Sequence, residues 1–128
     1  MGKRITIAWS KEPEDADYAA CGTYLSLLIE PKRVARLVKD LRKAPIQHLV
    51  ARDILRAAGI SPLGMSPSDE QRQKILSKKP LAPVLLVRAE REMRLIVADG
   101  YHRVSTVYAF DEAARVPCKL VGIAEEDA

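Results

Sequence analysis

The chain has 128 residues, a net charge of +4 at pH 7 and 48% hydrophobic residues. We expect a single globular domain over residues 1–128, because a chain of this length and composition buries a core without disulfides or metal ions. No apolar stretch reaches the ~20 residues that cross a bilayer, and the N-terminus lacks the basic-then-apolar layout of a secretory signal. Disordered and membrane-spanning classes are therefore excluded, and the cytoplasm is the expected location.

The two cysteines do not form a recognisable motif. Neither Cys21 nor Cys118 has a Cys or His neighbour at metal-ligand spacing, so zinc and redox sites have no support and no metal site is predicted. Each cysteine is expected to be a small buried hydrophobe, Cys21 on a helix face and Cys118 in the last strand.

The N-terminal residues predict a short strand followed by a helix. Residues 4–9 alternate between polar and apolar side chains, as in a strand. From Asp15 to Ile29, apolar residues recur at helical spacing, which favours a helix. The last residues of this stretch, Leu27-Leu28-Ile29, are an unbroken apolar run, which leaves a strand over residues 24–29 as the alternative.

The next two helices have clear boundary signals. Pro31 suits the first position of the second helix, which is predicted to end near Lys43. The third helix is predicted over residues 46–58, with Gly59 as its left-handed stop.

A loop over residues 60–67 precedes a fourth predicted helix. Ser66 or Ser68 caps this helix, and Ser68 with Gln71 has the spacing of a capping box. Lys78-Lys79 suits the C-terminal end of the helix dipole.

After residue 80 the pattern changes to strands. Residues 84–87 and 95–98 are apolar, strand-like runs, and the charged stretch between them has hairpin length. A short helix over residues 104–110 and a last strand over residues 116–123 follow. This order predicts an α+β fold in which a helical N-terminal half packs on a small mixed β-sheet.

The middle of the chain is basic. Residues 31–60 contain eight Lys or Arg against two Asp, a local charge of +6. A basic helical segment can bind nucleic-acid phosphates or an acidic protein surface. The favoured interpretation is that these cations are the solvated face of the second helix. The apolar stripe on its other face consists of Val34, Leu37, Val38 and Leu41.

The segment Asp99-Gly100-Tyr101-His102-Arg103 joins a predicted strand to a predicted helix. Glycine permits a close backbone approach, and the free N–H groups of a helix N-terminus bind anions. Arg103 can make two parallel charge-assisted hydrogen bonds to a phosphate, and His102 can act as an acid or base near pH 7. The sequence therefore predicts a phosphate site at this turn.

Several residues near this site have more than one open role. Asp99 is interpreted first as the N-cap of the helix, and otherwise as the partner that orients His102 or as a carboxylate for a divalent metal. Arg103 has a structural alternative as the ion-pair partner of Asp99. Glu30 is a cap-region acid or a catalytic base, and His48 is a surface or core residue rather than a ligand.

Residues 79–121 resemble the ParB/sulfiredoxin superfamily. The likeness is carried by Pro80-Leu81-Ala82-Pro83-Val84 at the entry to a strand, the Gly-x-x-Arg turn at Gly100, and Val116-Pro117 before the last strand. The whole chain looks like small bacterial ParB-like proteins of unassigned function, through residues 9–20, 51–57 and 98–103.

The resemblance implies a ParB/sulfiredoxin-like fold that binds a nucleotide or phosphorylated small molecule, with ATP, ADP or CTP and Mg²⁺ as candidate ligands. By position, Gly100 matches the family's glycine, and His102 and Arg103 match its basic pair. Tyr101 stands where sulfiredoxin has its cysteine, so thiol chemistry is not expected. A phosphotransferase or hydrolase with His102 and Asp99 as catalytic residues is one implied outcome, and binding alone is another.

Two further function classes remain open. One is nucleic-acid binding or nuclease activity through the basic helices of residues 31–60, although a helix-turn-helix like that of chromosome-partitioning relatives finds no room after residue 121. The other is a non-catalytic regulatory module that faces an acidic partner.

Overall fold

The computed structural model describes residues 6–61 and 64–123, and this part of the chain is a small α+β protein with five helices and a four-stranded mixed sheet. The predicted α+β class and mixed sheet are confirmed. In chain order the elements are α1 (Asp15–Leu25), α2 (Pro31–Lys43), β1 (Gln47–Val50), α3 (Ala51–Ala57), α4 (Asp69–Leu76), β2 (Val84–Ala89), β3 (Arg94–Asp99), α5 (Tyr101–Phe110) and β4 (Arg115–Gly122).

The strands lie in the order β1-β4-β2-β3. β2 and β3 form the predicted antiparallel hairpin, and β1 is antiparallel to β4. β4 runs parallel to β2, and α5 provides the crossover that a parallel connection requires. β3 therefore lies at an edge of the sheet, and the turn that follows it starts α5 at that edge.

Helices cover both faces of the sheet. Along β2 the buried side chains alternate: Leu85 and Val87 pack with α1 and α2, whereas Val84 and Leu86 pack with α3, α4 and α5. Each face thus has its own apolar core. The edge strand β3 contacts α1 on one side and α3 on the other.

The third predicted helix is wrong in its first part. Gln47–Val50 form β1, and the helix begins only at Ala51. β1 pairs with β4, starting with Gln47 opposite Cys118. This pairing between distant parts of the chain overrides the local helical pattern, since strand formation depends mainly on cross-strand neighbours.

The predicted N-terminal strand is also wrong where it can be described. Residues 6–8 form no regular element, and Trp9 makes an isolated parallel bridge to Leu81. Residues 4 and 5 lie outside the described residues. A short segment at the chain start thus contacts the entry to β2 without becoming a fifth strand.

Most helix boundaries follow the predicted signals. α1 ends at Leu25, so the predicted helix is confirmed up to that residue and is wrong over residues 26–29. These residues form a turn, so the strand alternative over residues 24–29 is wrong as well. α2 spans Pro31–Lys43 as predicted, with Pro31 at its first position. Gly59 has a φ of +73°, which confirms the left-handed stop after the third helix.

The capping box at α4 is half formed. Ser68 Oγ accepts a hydrogen bond from the N–H of Gln71 at 3.1 Å, so the predicted Ser68 cap is confirmed. Oε1 of Gln71 is buried and has no hydrogen-bond partner among the described residues. The reciprocal bond of a complete box is therefore missing.

The cations of residues 31–60 do not form one surface. α2 buries its apolar stripe and leaves most of its Lys and Arg exposed, as the solvated-face interpretation predicts. Arg52 and Arg56 lie on α3, which packs on the opposite face of the sheet. Arg42 also pairs with Asp15 at 3.3 Å. The basic residues are thus divided between two sides of the molecule.

Both cysteines are fully buried, as predicted. Burial raises the thiol pKa of Cys21 to about 12 and that of Cys118 to about 11, so both stay protonated at neutral pH. Within residues 6–61 and 64–123, no cluster of three or more His, Cys, Asp or Glu side chains could hold a metal ion. No helix in the described ranges combines the length and apolar character needed to cross a membrane.

Candidate functional site

The turn from β3 into α5 depends on Gly100. β3 ends at Asp99, Gly100 is the N-cap residue, and α5 begins at Tyr101. Gly100 has a φ of +102°, a left-handed conformation that glycine adopts readily. A Cβ placed on it would lie 2.4 Å from Cγ1 of Val84 in β2. The backbone of the turn therefore approaches the sheet more closely than any other residue type allows.

Arg103 anchors this turn from within the protein. The residue is 8% exposed, and its Nη1 donates to the carbonyl of Ala82 at 2.7 Å. Its Nη2 donates to the carboxylates of Asp17 at 3.2 Å and Asp99 at 2.5 Å. The guanidinium thus links α1, the entry to β2 and the end of β3. Arg103 forms the ion pair with Asp99 that was its structural alternative.

Asp99 does not cap α5, so its predicted N-cap role is wrong: Gly100 is the cap residue and no side chain completes the cap. The carboxylate of Asp99 shares the Arg103 guanidinium with Asp17. Burial raises the pKa of Asp99 to about 6, and the neighbouring Asp17 acts in the same direction, whereas Arg103 opposes the shift. Asp99 is therefore a buried carboxyl group that exchanges its proton close to neutral pH.

Tyr101 and His102 are both held by the loop before α4. The Tyr101 hydroxyl donates to the carbonyl of Gly64, and Nδ1 of His102 lies 2.9 Å from the carbonyl of Ser66. Because a carbonyl oxygen only accepts, Nδ1 carries the proton, and Nε2 is the acceptor of the neutral ring. The loop therefore fixes both the tautomer and the orientation of an exposed imidazole. Asp99 does not orient this ring.

A cleft of about 1080 Å³ lies beside the turn. Residues 99–102 line one end of the cleft, and all of β3 lines its length. The other end is lined by Arg33 and by the hairpin residues Glu90, Arg91, Glu92 and Arg94. The first N–H groups of α5 have no acceptor inside the helix, so this end of the cleft has the positive partial charge of a helix N-terminus.

The structure brings four of the five predicted turn residues to the cleft, and Arg103 does not line it. Sequence reasoning missed Asp17, which lies 86 positions before Arg103 and gives no local signal of this contact. Tyr24 is 44% exposed and forms part of the cleft wall.

Glu30 and His48 do not line the cleft. Glu30 is the N-cap of α2, where its Oε1 accepts from the Lys32 N–H at 3.3 Å. Of the two predicted roles, this contact supports the helix cap and not the catalytic base. His48 is exposed on β1, near the opposite edge of the sheet.

The groups at the turn fit an anion better than a metal ion. Backbone N–H groups and an imidazole are available at the cleft, whereas Arg103 holds the carboxylates of Asp17 and Asp99. Any Mg²⁺ would therefore be held through the phosphate oxygens of the ligand. Comparison with family models, curated proteins and solved structures gives no match for this chain. The functional proposal therefore rests on the chemistry of the site itself.

We expect Asp99 to titrate near pH 6, and Asp17→Asn to lower that midpoint because it removes a neighbouring negative charge. The folded state binds this proton more tightly than the unfolded chain does. The Asp99 contribution to the free energy of unfolding therefore falls as the pH rises from 3.8 to about 6. Carboxyl-carbon NMR measures both midpoints. An unchanged midpoint in Asp17→Asn would contradict the shared guanidinium.

Proposed function

We propose that this chain is a ParB/sulfiredoxin-like domain that binds a nucleotide, with a phosphate at the N-terminus of α5 and the nucleoside along the cleft. The supporting observation is that the first turn of α5 opens into a cleft of about 1080 Å³. Small-molecule sites usually have about 300–1,000 Å³, so the volume suffices. The proposed ligands are ATP, ADP or CTP, with Mg²⁺ bound to their phosphates.

In this proposal the phosphate accepts hydrogen bonds from the N–H groups of Tyr101, His102 and Arg103, as phosphates do at other helix N-termini. Nε2 of His102 can exchange a proton with the ligand, because Ser66 holds the ring by its other nitrogen. Asp99 is a second proton-exchanging group, with a pKa of about 6. Phosphate transfer or hydrolysis is the reaction class that these two side chains support.

Arg103 has a different role here from that implied by the family resemblance. Its guanidinium holds Asp17 and Asp99, so it contributes to phosphate binding through its backbone N–H and by positioning the turn. The nucleic-acid alternative has less support, since the cations of residues 31–60 lie on two sides of the sheet.

The test compares His102→Glu with the neutral variant His102→Gln. We expect wild-type protein to bind one of the three nucleotides with Mg²⁺ in calorimetric titrations. Glutamate at position 102 should weaken binding at least ~10-fold, which corresponds to about 1.4 kcal/mol, because it places a negative charge beside the phosphate. Since an acidic side chain stabilises the first turn of a helix, the fold is retained. Glutamine should change binding only slightly.

Two results would contradict the proposal. Failure of the wild-type protein to bind any of the three nucleotides contradicts the proposal. Equal affinities of the Glu and Gln variants would show that the ligand does not meet the N-terminus of α5. Arg103 is unsuited to this test because its replacement removes the partner of two buried carboxylates.

A further inference from the structure

The outer edge of β3 has no neighbouring strand within the described ranges. β3 is last in the sheet order and pairs with β2 alone. Its central residues, Leu95-Ile96-Val97-Ala98, include neither a proline nor a lysine, the residues that commonly block an edge strand. The register with β2 shifts only after Val97, so Leu95, Ile96 and Val97 pair regularly. Such an edge presents unpaired backbone N–H and C=O groups.

The pairing of β2 shows which groups of β3 face outward. The N–H of Ile123 donates to the carbonyl of Arg88 at 3.0 Å, so the backbone of Arg88 faces β4. Arg88 lies opposite Leu95, and this pair is therefore a non-hydrogen-bonded one. Because the pattern alternates, the N–H and C=O groups of Leu95 and Val97 face outward, while those of Ile96 bond to β2.

The open edge forms the floor of the cleft. All residues of β3 line it, although successive side chains of a strand point to opposite faces. A cleft that meets both faces must open at the edge of the strand. Tyr24 of α1 and Leu28 of the turn after it form one wall, and Ala58 and Ile60 form the other. At about 3.4 Å per residue, the floor is roughly 17 Å long.

We propose that this edge binds an extended peptide of another protein, which adds a strand antiparallel to β3. A second folded copy would bring the same two walls against these, so the occupant is a single peptide segment. Antiparallel pairing, the more stable kind, places the carboxyl end of the peptide at the start of β3. Arg33, Arg91 and Arg94 line the cleft there.

The charge at that end favours a free C-terminal carboxylate. Glu90 and Glu92 line the same region and leave it with a net charge of +1, which suits one negative group rather than a run of acidic residues. The walls beside the floor are largely apolar, so apolar side chains on the peptide would pack against Tyr24, Leu28 and Ile60.

The probe for this proposal is an N-acetylated peptide of alternating valine and threonine that ends in valine with a free carboxylate as its single negative charge. Amide hydrogen exchange is followed by NMR in the absence of nucleotide. Bound peptide should slow exchange at Leu95 and Val97 at least ~10-fold, because their N–H groups gain partners, and leave Ile96 unchanged. A probe N-methylated at alternate amides should bind at least ~10-fold more weakly.

A charge reversal tests the orientation. Arg91→Glu should weaken binding of the carboxylate probe, and the C-terminally amidated probe should lose this sensitivity. Arg115→Glu is the matched control, because Arg115 is exposed on β4 and does not line the cleft.

Four results would overturn the proposal. The first is failure of the probe to bind, and the second is binding without protection of Leu95 and Val97. The third is protection of these amides in the free protein that depends on protein concentration, which identifies a second copy as the occupant. The fourth is protection that disappears when residues 124–128 are deleted, which identifies the chain's own C-terminal residues. The peptide would occupy the cleft in which the proposed nucleoside also lies, so the two ligands would compete. These readouts use protein without nucleotide, and their failure is therefore distinguishable from failure of nucleotide binding.

Discussion

Replacing Arg103 with methionine is expected to destabilise the protein by about 3–5 kcal/mol, because breaking a buried ion pair leaves uncompensated charge. The Asp17 and Asp99 side chains are only 17% and 15% exposed. The carbonyl of Ala82 also loses its donor at 2.7 Å. Urea unfolding followed by circular dichroism measures the loss, which is a large fraction of the ~5–15 kcal/mol that stabilises a typical domain.

Arg52→Met is the matched control for this substitution. Arg52 pairs with Glu112 at 3.2 Å, but both side chains are about half exposed, and such a pair contributes at most ~1 kcal/mol. Adding Asp17→Asn and Asp99→Asn to Arg103→Met should recover much of the loss, since no unpaired charge remains. A loss below ~1 kcal/mol for Arg103→Met alone would contradict the buried network.

The position of Arg103 changes how the turn can bind a phosphate. A free guanidinium would bind the anion directly, whereas here its Nη atoms hold Asp17, Asp99 and the entry to β2. In the proposed complex the anion is therefore held by the N–H groups of α5 and by His102. For this reason the nucleotide test uses His102, and the stability test uses Arg103.

The elements predicted correctly are those with local signals at their ends. α2 begins at Pro31 and ends at Lys43 before Pro45, so proline marks both boundaries. β1 has no such signal. Gln47–Val50 become a strand because β4 lies beside them, and a partner that follows much later in the chain leaves no trace in local periodicity.

The candidate site also combines features that have a local sequence signal with features that have none. The junction of strand, glycine and helix could be predicted from residues 95–104, because each residue type there has a local conformational reason. The Asp17 contact could not, since it depends on α1 packing against the end of β3. Asp99 ends β3 and Arg103 lies in the first turn of α5, so their ion pair depends on the turn at Gly100 rather than on helical spacing. This pair is the structural alternative that the sequence left open.

Gly100→Ala is the second substitution with a large expected effect. The positive φ of +102° costs a residue with a Cβ about 1–2 kcal/mol. Overpacking against Val84, whose Cγ1 would lie 2.4 Å from the new Cβ, adds about 1–3 kcal/mol. We therefore expect a loss in the range of about 2–5 kcal/mol, measured by urea unfolding.

Gly59→Ala separates the two causes of that loss. Gly59 also has a positive φ, +73°, but a Cβ there would meet no atom within 4 Å, so only the conformational cost of about 1–2 kcal/mol applies. Equal losses at Gly59 and Gly100 would contradict the close approach to Val84. We expect Val84→Ala to cost less in the Gly100→Ala background than in wild type, because it removes the overlapping Cγ1 methyl group. That coupling measures directly how tightly the first turn of α5 is held against the sheet.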